Sequence, residues 1–461
     1  NGLVGIPMVV STTIVITFVF FGHLLEASGG SKFFTDISVA LMGRYRGGSS
    51  KIAISASCLF GSISGSAVSN VVSTGVITIP MMKRGGYPPH VAGAIEAVAS
   101  TGGQLMPPIM GAAAFVMAEF LQVPYGDMVI AAIIPALLYY ITLFIQADLY
   151  AARHGISRVE ENLIPARGRV FRAGWPFLLP FVVLIAALFH FNLRPDTSAL
   201  AAALAAVIIG IGIGYDGARM SVRSVFRAFS TTGIAVTQIV MIGAMAGIVI
   251  GVLNITGLGF ALTQALIAIA AGNLFLLLVM AAVVSIVLGM GMPTLGVYLL
   301  LATLVAPSLI EVGVPPMAAH MFALYFGMLS MITPPVAIAA FAAATVANTN
   351  PMRTGYAAVL FGWSAYVIPF LFVVSPALLF DGTAVSVLTA TAAAVAGIWS
   401  VSVGLAGRMF ANLGTAIRAV YIAAGIALLI PAAVIDGAAF VNLAGGAVAA
   451  TLTILGKRRK V

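Results

Sequence analysis

Long apolar runs occupy most of the chain, and short polar or basic stretches separate them. Many of the runs reach the roughly 20 residues that a helix needs to cross a hydrocarbon core about 30 Å thick. Lys and Arg collect in the short stretches between the runs, as expected of loops on the cytoplasmic side of a membrane. The pattern therefore predicts an all-α integral membrane protein that crosses the bilayer many times.

One apolar run, residues 52–82, is interrupted at its centre by the small polar stretch Gly61–Asn70. Lys51 precedes the run and Lys83-Arg84 ends it, so the positive-inside rule places both ends on the cytoplasmic side. A run of this length with both ends on one side predicts a re-entrant helical hairpin rather than a span.

The next run, residues 89–122, carries a glycine pair and a proline pair where a straight span would not. Gly102-Gly103 and Pro107-Pro108 lie near its middle. Proline removes a backbone donor and clashes with the preceding turn, so we expect the helix to be broken there. Irregular backbone at this depth must be buried in protein or line a polar cavity, and transporters build their ion and substrate sites in this way.

The second half of the chain repeats the first. Pro107-Pro108 and Pro334-Pro335 differ by 227 positions (334 minus 107), and the same offset separates Gly86–Pro89 from Gly313–Pro316. The offset predicts a second interrupted hairpin over residues 273–312, with a second broken helix after it. This hairpin has no basic flanks, and an odd number of spans separates the two hairpins. The sequence therefore predicts inverted repeats, which is a transporter architecture.

The interruptions and the basic loops divide the chain into five segments. Two of them, 52–122 and 273–349, each combine a hairpin with a broken helix and form the halves of a predicted transport domain. The other three hold the scaffold: a span and an interfacial helix in 1–51, scaffold and linking helices in 123–272, and scaffold and C-terminal helices in 350–461. Within them we expect single spans at 127–149 and 354–376 and a basic linker at 150–173. The whole chain is predicted to form eleven spans plus the two hairpins.

Composition supports a membrane protein independently of the pattern. Of the 461 residues, 61% are hydrophobic and only 8% are charged, whereas a soluble domain carries about 25% charged residues. The net charge of +9 belongs to the basic loops and does not indicate a nucleic-acid partner. Because the chain begins with Asn1 rather than Met, we expect a truncated or processed chain.

The tip of the first hairpin carries four residues that predict a site: Ser64, Gly65, Ser66 and Asn70. Small polar residues also let membrane helices pack closely, and this is the preferred interpretation for Ser62. A tip rich in Gly and Ser leaves backbone carbonyls and amides without helical partners at mid-depth. Such carbonyls coordinate Na⁺, and helix N-termini attract anions.

The broken helices supply further candidate residues. Ser100–Gln104 offers hydroxyls, carbonyls and an amide within one turn, whereas the matching stretches Gly289–Thr294 and Gly327–Pro334 are poorer in side-chain donors. We expect the substrate to bind between the hairpin tips, at these residues: Ser66, Asn70, Ser100, Thr101, Gln104, Thr294 and Thr333. Because no Lys or Arg lies inside the hairpins, hydroxyls, helix N-termini and bound Na⁺ would have to hold a carboxylate.

Glu96 is the one acidic residue well inside the hairpin and broken-helix part of the first repeat. Carboxylates inside a membrane are costly and are usually functional. Alternatively, Glu96 lies near the cytoplasmic start of its helix and stabilises that N-terminus. The sequence leaves both interpretations open.

Motifs for enzymatic chemistry do not occur in the sequence. Gly61–Gly65 places its serines one position away from the nucleophile elbow Gly-x-Ser-x-Gly. No P-loop and no His-Glu-x-x-His motif is found, and the five histidines do not show metal-binding spacing. We therefore predict that the chain is not an enzyme and needs no organic cofactor.

Four motifs of the first repeat carry a resemblance to a known family: Phe60–Val72, Thr78–Pro80, Glu96–Gln104 and Met106–Ala112. With these motifs the chain resembles the large membrane subunit of the tripartite ATP-independent periplasmic (TRAP) transporters, and more narrowly the TAXI subgroup. The resemblance covers residues 1–376, and the last three spans are similar to a C-terminal extension of some TAXI members. The small-subunit helices of that subgroup are expected before residue 1, so we expect the chain to be truncated or the small subunit to be separate.

The resemblance implies a Na⁺-coupled secondary transporter of the bacterial inner membrane that imports small organic acids by an elevator motion. Such a transporter receives its substrate from a periplasmic substrate-binding protein and works with a small membrane subunit, separate or fused. The family's Na⁺ sites carry over to the hairpin tips and helix breaks of this sequence. The residues are Ser64, Gly65, Ser66, Asn70 and Gly103 in the first repeat, and Gly291, Thr294, Ser330 and Thr333 in the second.

Three other functions are compatible with parts of the sequence. A stand-alone Na⁺/dicarboxylate symporter of the same architecture would need no binding protein. An intramembrane acyltransferase or protease would need a His or Asp paired with Ser64 or Ser66, and the sequence offers none at a matching depth. A membrane scaffold without transport activity would leave the repeat-matched helix breaks unexplained.

Overall fold

The computed structural model describes residues 2–431 and 437–458. Helices make up most of these residues, and no β-strand occurs among them apart from isolated bridges. The predicted C-terminal segment 350–461 also includes residues 432–436 and 459–461, which lie outside the described residues. Within the described ranges, eight helices are long and apolar enough to cross a membrane, and one bent pair would make a ninth.

Large apolar side chains cover much of the outer surface. Ile255 is 89% exposed and Phe440 is 78% exposed, and many other Leu, Ile, Val and Phe side chains are exposed with them. Soluble proteins rarely expose contiguous apolar surface on this scale, whereas lipid tails are as apolar as these side chains. The prediction of an all-α integral membrane protein is confirmed.

The first repeat is formed by seven helices. They are α1 (Ile6–Ala27), α2 (Gly30–Met42), α3 (Gly48–Ser64), α4 (Ala67–Arg84), α5 (Pro89–Gly103), α6 (Ala112–Leu121) and α7 (Tyr125–His154). We call α3 and α4 hairpin 1, and α5 and α6 broken helix 1. The predicted interfacial helix corresponds to α2, and the first span to α1, which includes a π-helical turn at Ser11–Val15.

The tip of hairpin 1 follows from two residues. Gly65 has φ +60°, a left-handed conformation that ends α3 and favours glycine. Ser66 then caps α4, because its hydroxyl accepts a hydrogen bond from the Ser69 backbone N–H at 3.3 Å. The interruption is therefore only two residues long, Gly65 and Ser66, and is shorter than the predicted Gly61–Asn70.

Two helical regions connect the repeats, α8 (Glu161–His190, a series of short segments) and α9 (Pro195–Gly212). The second repeat is then formed by α10 (Val222–Thr256), α11 (Leu258–Ala270), α12 (Leu274–Gly289), α13 (Thr294–Glu311), α14 (Pro316–Leu329), α15 (Ile338–Ala347), α16 (Pro351–Phe361) and α17 (Trp363–Val374). We call α12 and α13 hairpin 2, and α14 and α15 broken helix 2. Both broken helices contain a cis proline peptide at the same repeat position, Pro107-Pro108 and Pro334-Pro335.

Three helices follow the second repeat: α18 (Ala384–Ala406), α19 (Thr415–Leu429) and α20 (Ala438–Arg458). Helix α18 packs between α7 and α19, and α19 packs against α20. The C-terminal helices therefore join the body of the protein through the long helix α7.

The predicted linker 150–173 is correct only for its middle part. Helix α7 continues to His154, and a regular helix resumes at Arg167–Gly174. Arg167 lies in that second helix, where it donates to the carbonyl of Ala40 at 3.0 Å and thereby caps the end of α2. Its charge serves a helix terminus and does not mark irregular backbone.

The predicted single span 354–376 is bent, because α16 and α17 meet at an angle of 70°. The bend lies at Gly362, where an added Cβ would lie 3.2 Å from the Ile332 side chain and 3.3 Å from that of Val98. The counterpart of Gly362 in the first repeat is Pro135, yet α7 continues through it. A proline is therefore not sufficient to bend the helix at this repeat position.

Candidate functional site

The two helix breaks meet each other. The amide nitrogen of Gln104 lies 3.8 Å from the sulfur of Met331, and the two residues occupy the same position in the two repeats, 227 residues apart. Thr294, the first residue of α13, donates a hydrogen bond to the Gln104 side-chain oxygen and lies 3.6 Å from the Met331 sulfur. Its counterpart Ala67 packs against Met331 from hairpin 1. Both hairpin tips therefore contact the same pair of helix breaks.

Close to the break, hairpin 1 contacts broken helix 1 through bare backbone. A Cβ on Gly103 would lie 2.5 Å from the Cα of Gly61, and a Cβ on Gly61 would lie 2.7 Å from the Cα of Gly103. At the tip, a Cβ on Gly65 would lie 3.1 Å from the carbonyl oxygen of Met110. Only glycine lets α3 approach α5 and its break this closely.

Hairpin 2 contacts broken helix 2 through a side chain instead. Ser330 is the counterpart of Gly103, and its hydroxyl lies 2.9 Å from the Gly289 carbonyl and 2.6 Å from the Gly327 carbonyl. Its single proton is thus shared between the end of α12 and its own helix. Close by in sequence, the Thr333 hydroxyl lies 2.7 Å from that of Tyr366.

Several predicted site residues lie where helices begin or end. Ser66 and Gly291 are exposed, and Thr294 and Thr333 are half-buried. The Ser64 hydroxyl oxygen is buried, and among the described residues it has no hydrogen-bond partner. Because it makes no hydrogen bond to the protein, this hydroxyl oxygen is free to accept one or to contact a cation.

Three predicted substrate ligands lie deeper and are already hydrogen-bonded inside the first repeat. The Asn70 amide donates to the Ser57 carbonyl at 2.8 Å, and Thr101 donates to the Ala97 carbonyl at 2.8 Å. Ser100 donates to Glu96 at 3.3 Å. In this conformation the three side chains support the break from within, and their role as direct ligands stays a prediction.

Glu96 is fully buried, and four hydroxyl groups surround its carboxyl group. The Ser57 and Thr74 hydroxyls lie 2.7 Å and 2.5 Å from Oε1, and the Thr78 hydroxyl lies 2.5 Å from Oε2. Ser100 is the fourth. Glu96 lies two turns into α5, so the interpretation as a stabiliser of the helix N-terminus is wrong.

Sequence reasoning missed three of these hydroxyls, Ser57, Thr74 and Thr78. A signal for two of them was present, because Asn70, Thr74 and Thr78 recur at every fourth position of α4 and therefore share one face of that helix. Glu96 and Ser100 have the same spacing on α5. Two polar faces on neighbouring helices are expected to meet, since each is costly to expose to lipid.

Tyrosines of α7 hold broken helix 1 from the opposite side. Tyr139 and Tyr140 donate to the carbonyls of Val98 and Ala99, each at 2.7 Å. The Tyr139 ring lies so close to Gly102 that an added Cβ would be 2.3 Å from it. The carbonyls before the break are thus bonded to side chains of another helix.

The groups at the tip of hairpin 1 suit a cation that binds oxygen. Helix α3 ends at Ser64 and the Gly65 N–H bonds to the Gly61 carbonyl, so the carbonyls after Gly61 in the last turn lack helical partners. The Ser64 hydroxyl adds a further oxygen at the same place. No group of three or more His, Cys, Asp or Glu that could hold a metal occurs in residues 2–431 or 437–458. Carbonyl and hydroxyl oxygens fit Na⁺ and do not fit the sites of softer metals.

Several relatives of similar sequence are TRAP transporter permeases. The chain is 25% identical to the isethionate TRAP transporter permease of Oleidesulfovibrio alaskensis, over 72% of this chain and 52% of the relative. It is 26% identical to a sialic acid TRAP transporter permease of Haemophilus influenzae, over 71% of this chain and 52% of the relative. The C4-dicarboxylate TRAP large permease of Pseudomonas aeruginosa is 25% identical, over 78% and 82%.

The chain spans about half the length of the first two of these relatives. A family model matches most of this chain, residues 3–385. The family is described as "Tripartite ATP-independent periplasmic transporter, DctM component". This range includes both hairpins and both broken helices. The chain therefore belongs to the DctM family of the tripartite ATP-independent periplasmic transporters.

Proposed function

We propose that the chain is the membrane-spanning permease of a Na⁺-coupled secondary transporter that imports small organic acids across the bacterial inner membrane. A periplasmic substrate-binding protein delivers the acid, and a small membrane subunit completes the permease. The hairpins and broken helices move together against the scaffold in an elevator motion. Relatives named for isethionate, sialic acid and C4-dicarboxylate support an acid as substrate.

The observation that carries this proposal is the contact between the two helix breaks at Gln104 and Met331. Thr294 of hairpin 2 bonds to Gln104 of broken helix 1, so one side chain joins the two repeats at their irregular backbone. Irregular backbone inside a membrane is tolerated only where it is buried or lines a cavity. A site shared between repeats is the arrangement expected of alternating access.

The acid group would be held by helix starts. The residues that precede α6, α13 and α15 are Gly111, Pro293 and Ala337, and none of them caps its helix with a side chain. The first N–H groups of α6 and α13 therefore remain available to an anion, whereas Ala339 and Ala340 of α15 already donate to the Met331 carbonyl. Each partly buried helix start contributes up to about 2 kcal/mol toward an anion. The two free starts, together with a bound Na⁺, would replace one guanidinium.

Na⁺ would enter as the second transported species. The carbonyls at the end of α3 and the Ser64 hydroxyl would hold it at tip 1, and the Gly291–Thr294 turn would hold it at tip 2 with oxygens of Ser330 and Thr333. Na⁺ and the bound anion attract each other. Binding of either one therefore raises the affinity of the protein for the other, by the same factor. Membership of the TAXI subgroup stays a prediction.

The test is uptake into proteoliposomes by the permease with its small membrane subunit. A panel of radiolabelled small acids is offered with an inward Na⁺ gradient or with choline, and with or without the binding protein. We expect saturable uptake of one acid class that needs both Na⁺ and the binding protein. Uptake in choline at the same rate would contradict Na⁺ coupling, and uptake without the binding protein would favour a stand-alone symporter.

A further inference from the structure

We propose that Glu96, together with the hydroxyls of Ser57, Thr74, Thr78 and Ser100, forms a proton-binding site that gains and loses one proton in each transport cycle. This inference rests on one part of the proposed function, namely that the protein alternates between two conformational states as it transports a solute. The site is separate from the hairpin tips, because Glu96 lies two turns into α5.

The carboxyl group is enclosed by uncharged donors. Glu96 has 0% of its surface exposed, and so do Ser57 and Ser100. None of the ion pairs in the described part of the chain includes Glu96. A buried charge without a counter-ion is costly unless hydrogen bonds satisfy it, so this group must be satisfied by hydroxyls or be neutral.

The ring of hydroxyls can satisfy either form of the carboxyl group. In the ionised form, the Thr78 hydroxyl donates to Oε2 at 2.5 Å, and the other three donate to Oε1. In the acid form, Oε2 carries the proton and donates to the Thr78 oxygen. The Thr78 hydroxyl then turns to the Thr74 carbonyl, which lies 3.1 Å away. Both forms have complete hydrogen bonding, and they differ by one proton.

The spacing within the ring suits a proton rather than Na⁺. Neighbouring oxygens lie at hydrogen-bond distances, including 3.0 Å between the Ser57 and Thr74 hydroxyls. Oxygens that coordinate a metal ion are held apart by the ion between them, whereas a proton fits into an existing hydrogen bond. Loading the site with a proton needs only rotation of hydroxyl groups.

Hydrogen bonds join the ring to Asn70, which packs at the contact between Gly61 and Gly103. The Thr74 hydroxyl lies 3.1 Å from the Asn70 side-chain oxygen, and the Asn70 amide donates to the Ser57 carbonyl. A Cβ on Gly61 would lie 2.6 Å from the Asn70 amide nitrogen, at the backbone contact with Gly103. Rotation of Thr74 therefore changes the hydrogen bonding of the side chain that packs at this glycine contact.

The second repeat has no equivalent ring. The five counterpart positions are apolar: Val284, Leu301, Val305, Ala323 and Gly327. One chain would then carry one proton site. The proton would be taken from water on one side and released to water on the other, with formation and cleavage of one O–H bond and no redox change.

Other titratable groups occur on the helices packed against α5, and none is bonded to Glu96. Helix α15 carries none, and the rest are Lys51 and Cys58 on α3, Lys83 and Arg84 on α4, His90 on α5, Tyr125, Asp127, Tyr139, Tyr140, Asp148, Tyr150, Arg153 and His154 on α7, and Arg353 and Tyr356 on α16. Tyr140 donates to the Ala99 carbonyl, and Arg353 and Tyr356 are exposed. Glu96 is therefore the group expected to change charge inside this bundle.

The first test is spectroscopic and needs no transport. Infrared difference spectra of the full chain in lipid are recorded across a pH titration for wild type, Glu96→Gln and the control Ser73→Ala, which changes an exposed residue on α4. We expect a carboxylic-acid C=O band that titrates in wild type and in the control and is missing from Glu96→Gln. An unchanged band in Glu96→Gln, or no titrating band in wild type, would overturn the proposal.

The second test measures uptake at equal Na⁺ on both sides, with and without an acid-outside pH gradient. We expect a several-fold stimulation by the gradient in wild type and in Ser73→Ala, and no stimulation in Glu96→Gln. If Glu96→Gln does not fold, Thr78→Val, which removes the hydroxyl facing Oε2, should weaken the stimulation. Stimulation that survives in both variants would refute the site. The same uptake is repeated with choline in place of Na⁺. Equal rates in the two salts in every variant would count against the Na⁺ coupling proposed above and not against Glu96.

Discussion

The two repeats share a backbone plan but use different chemistry to hold it. In the first repeat, α3 and α5 touch at Gly61 and Gly103 without side chains between them. In the second, Ser330 fills the place of Gly103 and bonds to the end of α12. The buried face behind the first hairpin is polar around Glu96, and the same face behind the second is apolar.

The two halves therefore have helix breaks at matching repeat positions, but the residues around each break determine its hydrogen bonding and packing. A hydroxyl ring and a glycine contact in one half leave that half able to change its hydrogen bonding. The other half packs with Val, Leu and Ala, whose contacts have no alternative partners. We therefore expect substitutions to affect the two halves unequally.

The largest effect is expected from Gly103→Ala. The added methyl group would lie 2.5 Å from the Cα of Gly61, so α3 and α5 must separate, at a cost of about 1–3 kcal/mol. Thermal unfolding in detergent should show a clear fall in Tm. The matched control is Gly233→Ala on α10, where no atom lies within 4 Å of the new methyl group. Equal Tm values for the two variants would mean that the glycine contact is not tight.

Thr294→Val breaks the bond between the two repeats. It leaves the Gln104 side-chain oxygen, on a residue only 2% exposed, without this donor, which costs about 1–3 kcal/mol for a buried group. We expect a lower Tm and slower uptake. Thr303→Val is the control, since the Thr303 hydroxyl bonds only to carbonyls of its own helix. The contact between repeats would have no role if both variants transported at the wild-type rate.

Ser330→Ala removes the side-chain bond that distinguishes hairpin 2 from hairpin 1. The loss of one hydrogen bond to the Gly289 carbonyl should cost about 0.5–1.5 kcal/mol, less than the glycine contact. Ser308→Ala is matched, because Ser308 is equally buried and bonds only to the Val305 carbonyl. Hydrogen exchange at the end of α12 should rise in the first variant alone, and equal exchange would contradict this assignment.

The smallest effect is expected at α2 and its counterpart α11. Lys32 on α2 donates to Asp216 at 2.5 Å and thereby lowers the pKa of that carboxyl, whereas the matching helix α11 makes a neutral-donor bond from Gln264 to Glu311. An Asp with a lowered pKa stabilises the fold above its ordinary pKa and loses this effect as the pH falls through the folded value. Lys32→Ala should therefore lower Tm slightly at neutral pH and low salt. A fall of equal size in acid or in high salt would show that the ion pair is not the cause.

Sequence alone was sufficient for the order of the elements in both repeats. Proline pairs and glycine pairs act locally on the backbone, so the breaks at Pro107-Pro108 and Pro334-Pro335 could be placed without knowing any tertiary contact. The bend at Gly362 could not, because a single glycine in an apolar run does not indicate a bend, and its close neighbours Ile332 and Val98 lie far away in sequence. Element boundaries follow local rules where a special residue stands, and tertiary packing decides the rest.

The candidate site was predictable in location and less so in detail. Ser66, Gln104 and Thr294 were identified because they stand at interruptions. The sequence did not predict the full ring around Glu96. Ser57 and Thr74 lie on different helices, and only the fold brings their hydroxyls within 3.0 Å of each other. Hydroxyls inside a regular helix carry no local signal of which neighbour they will bond.

The tyrosines of α7 limit where a moving transport domain could separate from a fixed scaffold. Tyr139 and Tyr140 hold two carbonyls of broken helix 1, so sliding that helix past α7 would break both bonds, at about 0.5–1.5 kcal/mol each. The alternative is that the middle of α7 travels with broken helix 1. Pro135 lies one turn before Tyr139, where α7 lacks a backbone donor. A hinge at that proline would let the two halves of one continuous helix belong to different rigid bodies.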